Sequence, residues 1–284
     1  MHFLLISVCC SVAVSVLLKI ARQKQMDIAQ MVTVNYPIAA LLTWLVARPA
    51  LADSSQYLSA WWLFVAFGVM LPTVFIVMGR AVQTAGIVKA DTAQRVSLVI
   101  PLLAAFLLFG EQISQWTGVG ITLVFAALVC LLSRSDIGES RSAPWLLFFV
   151  WLGYGTIDVL LKQLSKTTQG ATYSILFVSF ILAAILMVMY LTYKRVCWSQ
   201  TSILGGVLLG GLNFANIYTY INAHKALKEN PSIVFAGMNI GVITTGTLVG
   251  AWLFRERLSR LNVIGVSLAI MAIACLTYAR MKGV

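Results

Sequence analysis

Apolar residues fill this chain in ten long stretches, each about as long as a bilayer-crossing helix and each closed by a short polar or turn-forming joint. They run approximately His2–Ala21, Ile28–Ala47, Ala60–Gly79, Ile87–Phe109, Trp116–Leu132, Pro144–Leu161, Ala171–Leu191, Ile203–Ile221, Ser232–Phe254 and Leu261–Ala279. Within each stretch the apolar residues are continuous and do not alternate every second position. That pattern predicts helices and argues against a β-barrel. Charged and turn-forming clusters such as Arg22–Asp27, Arg48–Ser55, Ser133–Ser142 and Lys225–Pro231 separate the stretches. The first stretch follows Met1-His2-Phe3 with no basic lead and no A-x-A-like site before Lys19, so it is expected to stay as a first helix.

The pattern repeats. Phe109, Glu111, Ser114 and Gly120 are matched by Phe254, Glu256, Ser259 and Gly265, each 145 positions later, and both copies close one apolar run and open another. Two related halves follow, residues 1–137 and 138–284, with the long polar joint Ser133–Ser142 as their seam. Five spans per half is an odd number, so the second half must enter the bilayer inverted and both termini must share a side. The joints agree: the one at Glu111 has no Lys or Arg, whereas its counterpart has Arg255, Arg257 and Arg260. The expected fold is therefore all-α and integral to the membrane, with ten transmembrane helices as two inverted five-helix repeats.

Composition sharpens that picture. Hydrophobic residues make up 60% of the 284 residues, charged residues 10%, and the mean hydropathy is +0.92. A soluble domain does not have this composition. The net charge of +11 would suggest nucleic acid in a soluble protein, but here the basic residues collect in the joints. Assigned joint by joint, 13 of the 20 lie on the side opposite the termini, which by the positive-inside rule puts both termini outside. Four of the five cysteines (Cys9, Cys10, Cys130 and Cys275) sit in apolar runs and read as small fillers, without disulfide or metal-ligand spacing.

Taken together, an apolar run, Pro101, a second apolar run, Phe-x-Glu-x-Ile/Leu-Ser and a Gly-rich run, with the Glu motif present twice in ten spans, resemble the EamA-like permeases of the drug/metabolite transporter superfamily. The resemblance covers essentially the whole chain. It implies a ten-helix permease in the bacterial inner membrane with both termini cytoplasmic, against the charge count. The second copy departs from the pattern by having Gly246 where the first has Pro101.

An ionisable group inside hydrocarbon costs about 2.5–3.5 kcal/mol on insertion scales, so one that persists needs a partner or a water-filled cavity. Asp158 in the sixth stretch is the clearest case, sharing a helical face with Trp151, Tyr154 and Lys162. Two readings stand: an Asp158–Lys162 pair that fastens the bundle, or a cavity carboxylate that binds a proton or a cationic group, walled by Tyr154 and Trp151. Ser11, Ser15 and Lys19 repeat this face in the first stretch without the acid, and Lys19 at a span end reads equally as snorkelling. In the fourth stretch Asp91, Gln94 and Arg95 read as a local salt bridge, or with Arg95 facing the cavity toward an anion. Pro101 beyond them removes a backbone donor and predicts a kink.

The eighth stretch carries Asn213, Asn216 and Tyr220 at helical spacing, as cavity walls or as interhelical hydrogen-bonding groups. In the ninth, Gly237 to Gly241 and Gly246 to Gly250 predict close helix packing. Asn239 lies 145 positions after Gln94, so the two amides are expected to line one cavity from corresponding places. Glu111 and Glu256 are expected to cap the following helix or bond turn amides. The function that follows is a secondary permease exporting small metabolites or xenobiotics by alternating access, coupled to protons through Asp158 or to exchange. A passive pore or lipid scramblase of the same fold is the alternative. Only His2 and His224 occur and there is no phosphate-binding G-x-x-x-x-G-K-[ST] loop, so neither an enzyme nor an ATP-driven pump is expected. No cofactor and no metal are called for. The partners expected are a small-molecule substrate, the lipid bilayer and protons, in a monomer or homodimer.

Overall fold

The computed structural model describes residues 2–49, 60–101, 103–104, 115–132, 144–167, 171–227, 231–255 and 259–282. Among them, besides a further helical stretch at 99–101 and 103–104, are ten α-helices and no strand. They are α1 (His2–Gln23), α2 (Ile28–Leu42), α3 (Trp61–Ala85), α4 (Ile87–Val96), α5 (Gln115–Leu132), α6 (Pro144–Thr167), α7 (Thr172–Tyr193), α8 (Gln200–Ala226), α9 (Pro231–Leu253) and α10 (Arg260–Lys282). A π-helical turn, Thr43–Ala47, continues α2.

Seven of these helices are long and apolar enough to cross a bilayer: α1, α2 with its π-turn, α3, α6, α7, α8 and α10. Shorter apolar helices lie within α5 (Gly118–Cys130) and α9 (Gly237–Leu253). Trp61, Trp145, Trp198, Tyr193 and Trp252 stand exposed near helix ends, where amphipathic rings settle at the headgroups. The protein is a multi-pass α-helical membrane protein.

Helix ends follow local chemistry. Asp27 caps α2, its side chain accepting from Ala29 N at 2.7 Å and Gln30 N at 3.3 Å. Gln30 then reaches across to the joint before α8, donating to the Cys197 carbonyl and accepting from Ser199 N, both at 2.9 Å. Gly86, at φ 94°, divides α3 from α4 in a backbone conformation that side chains resist. The helix is interrupted before Pro101 by a turn at Ser97 and Leu98, and Ser97 is the residue four before the proline. The proline ring crowds that carbonyl, which accepts instead from Ile100 N at 2.9 Å. Several helices outrun the apolar stretches that announce them, as α3 does to Ala85 and α8 to Ala226, because a helix continues into the polar headgroup layer after hydrophobicity stops.

Lipid tails are as apolar as leucine, so helices in a bilayer associate through close packing. The main contacts of α8 are α1 and α2, and those of α3 are α6 and α7. The other principal partnerships are α1 with α9, α4 with α6 and α9, α2 with α7, and α5 with α10. Glycines set the closest approaches. A Cβ on Gly206 of α8 would lie 2.6 Å from Val34 Cβ and 2.8 Å from the Met31 carbonyl oxygen, and one on Gly210 would lie 2.8 Å from the Asn35 carbonyl oxygen. On α9, Gly237 and Gly241 face Leu4 and Val8 of α1, the packing role their spacing predicts. Fully buried Tyr36, Phe67, Phe180, Leu18 and Ile243 fill the spaces between helices.

Candidate functional site

Three serines on one face of α1, at positions 7, 11 and 15, organise the polar interior. Spacing of four residues keeps them in line along the helix, and each is buried. Ser7 Oγ donates to Asn216 Oδ1 of α8 at 2.7 Å and lies 3.1 Å from its backbone oxygen. Ser15 Oγ donates to Asp91 Oδ1 of α4 at 2.7 Å. Ser11 Oγ accepts from Arg95 Nη2 at 2.7 Å. A single helix thus ties α4 and α8 together through side-chain hydroxyls.

Asp91 is only 2% exposed, and α9 presses against it at Gly246, where a Cβ would stand 3.1 Å from Asp91 Oδ2. Gly246 therefore has a role of its own at the place where the first half has Pro101: it admits the carboxylate that a side chain would displace. Half-buried Arg95 lies within electrostatic reach of Asp91, Tyr220, Tyr154 and Asp158. Those four residues stand on α4, α8 and α6, so acids and phenols from three helices act on one guanidinium. Asp158 differs from Asp91 in being exposed on its helix, although Arg95 from across the bundle acts on it.

The remaining sequence candidates separate into those drawn into this cluster and those held elsewhere. Tyr154, half-buried, packs between the α1–α3–α4–α6 and α3–α6–α7 apolar clusters and feels Arg95, Asp91 and Asp158. Tyr220 meets His224 edge-on, with ring centroids 4.7 Å apart. Trp151 is a core residue, 9% exposed, its ring 5.8 Å from Phe148 and 6.1 Å from Phe125. Asn213 donates to Asn35 Oδ1 of α2 at 3.2 Å, the interhelical alternative. Asn239 is buried and donates to the Phe235 carbonyl of its own helix at 2.8 Å. Gln94 is half-buried on α4, which packs on α9. Glu111 and Glu256 lie outside the described residues.

Two participants escaped the sequence reading, Ser7 and Asn35. Asn35 had a legible signal, an amide two residues before Pro37 in an otherwise apolar run, and its burial is complete. Ser7 had none beyond its fourfold spacing from Ser11.

No protein-family model matches this chain. A solved crystal structure of a protein aligns over 99% of this chain and 98% of its own with a TM-score of 0.57 and 14% identity, so the two share a fold. A protein of Haemophilus influenzae described as uncharacterized is 47% identical over 286 residues, 98% of each chain. At that identity and coverage, this chain belongs to the same family as the Haemophilus influenzae protein.

Proposed function

We propose that this protein is a secondary permease of the EamA-like kind within the drug/metabolite transporters, exporting small metabolites or xenobiotics across a bacterial inner membrane by alternating access. The observation that carries the reading is the polar network of Ser11, Ser15, Asp91 and Arg95 between α1 and α4, with Asp158 of α6 within electrostatic reach of Arg95, in a largely apolar bundle. Charged groups inside hydrocarbon mark substrate and ion paths, because their desolvation is tolerated only where partners and water are supplied.

Helix pairing supports the two-repeat plan. Exchanging each helix of the first five with the one five later turns α1–α8 into α6–α3, α2–α8 into α7–α3, and α1–α9 into α6–α4, all of which pack. The pairs α2–α7, α4–α9 and α5–α10 each join a helix to its own counterpart, as contacts along a pseudo-two-fold axis would. Under the same exchange Ser15 corresponds to Asp158 at an offset of 143, so the frame is shared while the chemistry is not. A site between repeats with one acid is suited to a directional ligand.

Alternating access then moves one half of the bundle against the other around this cluster, with the break at Ser97 and Leu98 as a hinge beside it. The test is counterflow in proteoliposomes against a metabolite panel with internal pH recorded. Saturable exchange that Asp158→Asn abolishes is the expected result. Flux that never saturates refutes the permease and describes a pore.

A further inference from the structure

Helices α2 and α7 correspond residue by residue. Residues 34–42 read Val-Asn-Tyr-Pro-Ile-Ala-Ala-Leu-Leu and residues 178–186 read Val-Ser-Phe-Ile-Leu-Ala-Ala-Ile-Leu, an offset of 144. Their packing corresponds too. A Cβ on Gly210 of α8 would stand 2.7 Å from Ile38 Cβ, and one on Gly68 of α3 would stand 2.7 Å from Leu182 Cδ2, Ile38 and Leu182 being counterparts at that offset. Tyr36 and Phe180 are counterparts in the same way, and they meet each other across the seam between α2 and α7 with ring centroids 6.0 Å apart.

Phe180, 2% exposed, shows what the frame needs at this place, which is a buried ring. The hydroxyl of Tyr36 is additional. Among the described residues it has no hydrogen-bond partner, although Tyr36 is only 1% exposed. A buried hydroxyl without a partner costs stability, and the second half of the chain avoids that cost with phenylalanine. The hydroxyl also stands near the polar network. Leu71 and Phe75 of α3 both pack against the apolar cluster that contains Tyr36, and each packs in a further cluster together with Tyr154. Tyr154 is within electrostatic reach of Tyr36 as well as of Arg95, Asp91 and Asp158.

We propose that the Tyr36 hydroxyl is a ligand-binding group of this site, reached by the transported molecule when the seam between α2 and α7 parts. The inference rests on the permease reading and adds a residue and a helix to its site. A hydroxyl both donates and accepts, so it suits an uncharged polar group such as a carbonyl, an amide or an alcohol, and it sets no preference of charge.

Tyr36→Phe tests this, because it installs the residue that the counterpart position already carries. The full chain is reconstituted in proteoliposomes and assayed by counterflow with a radiolabelled panel of amino acids and nucleosides. The variant is expected to melt in detergent no lower than the unaltered protein. For the panel compound that the unaltered protein exchanges, its half-saturation concentration should rise about three- to tenfold, the worth of one hydrogen bond, with the maximal rate kept within about twofold. A purely structural hydroxyl would lower the melting temperature and leave the half-saturation concentration in place, and that result overturns the assignment. Exchange of a panel compound that the variant handles normally also overturns it, while the permease stands. If the unaltered protein exchanges no panel compound, both fall.

Discussion

The bond between Ser15 and Asp91 fastens α1 to α4 and can be weighed by replacing Ser15 with Ala and Asp91 with Ala, singly and together. Its length of 2.7 Å is that of a well-formed hydroxyl bond to a carboxyl oxygen, at the long end of the range for one that is ionised. Such charge-assisted bonds contribute about 1.5–3 kcal/mol in soluble proteins. Within a membrane bundle the same kind of contact averages about 0.6 kcal/mol and reaches about 1.7, because the inserted but unfolded chain also finds partners. Each residue is only 2% exposed, so water does not compete in the folded state. The upper end of the membrane range therefore applies, and the coupling energy is expected near 1.5 kcal/mol, roughly a tenfold change in an equilibrium constant. The double-mutant cycle is read from unfolding of purified protein in mixed micelles as the SDS fraction rises, followed by tryptophan fluorescence. Each single substitution carries its own cost, such as the space that Asp91→Ala leaves, and the cycle subtracts those costs. A coupling within about 0.3 kcal/mol of zero, the scatter of independent sites, would refute the reasoning.

The other predictions are of the same kind. Gly246→Val sets a branched side chain where a single Cβ already stands 3.1 Å from Asp91 Oδ2, and should lower thermal stability in detergent by about 1–3 kcal/mol equivalent, whereas an unchanged melting profile would mean that α9 does not press on that carboxylate. Cysteines placed singly at Gln94 and Asn239 should each react with a water-soluble thiol reagent in at least one transport state, and protection of both in every state would remove them from the cavity wall. Reporter domains fused to the two ends should give the same compartment signal, and opposite signals would break the ten-span count.

Much of the helical layout was legible because hydrocarbon imposes it. A backbone in lipid has no water to bond, so continuous apolar runs such as Thr172–Tyr193 become helices whatever their side chains prefer. The break near Pro101 was legible for a covalent reason, the missing N–H and the crowded carbonyl at Ser97. Asp158 stood out because a lone carboxylate in such a run is expensive. Partnerships were not legible in the same way. Asp91 and Arg95 are four residues apart and invite reading as a pair, yet each also reaches α1, through Ser15 and Ser11. Trp151 and Asp158 share a helical face, but two turns apart along it the indole packs against Phe125 and Phe148 and the carboxylate is exposed.

By itself, then, the sequence determined that this is a helical membrane protein with most of its basic residues in joints, since hydrophobicity and backbone hydrogen bonding act residue by residue and leave their period in the chain. Only the tertiary structure decided which acid is fixed and which is accessible. Hydrogen bonds near 2.7 Å between helices depend on rotation and approach, and these are set by distant glycines such as Gly246 against Asp91 and Gly206 against Met31. No local pattern encodes a distance between residues 76 positions apart, as Ser15 and Asp91 are.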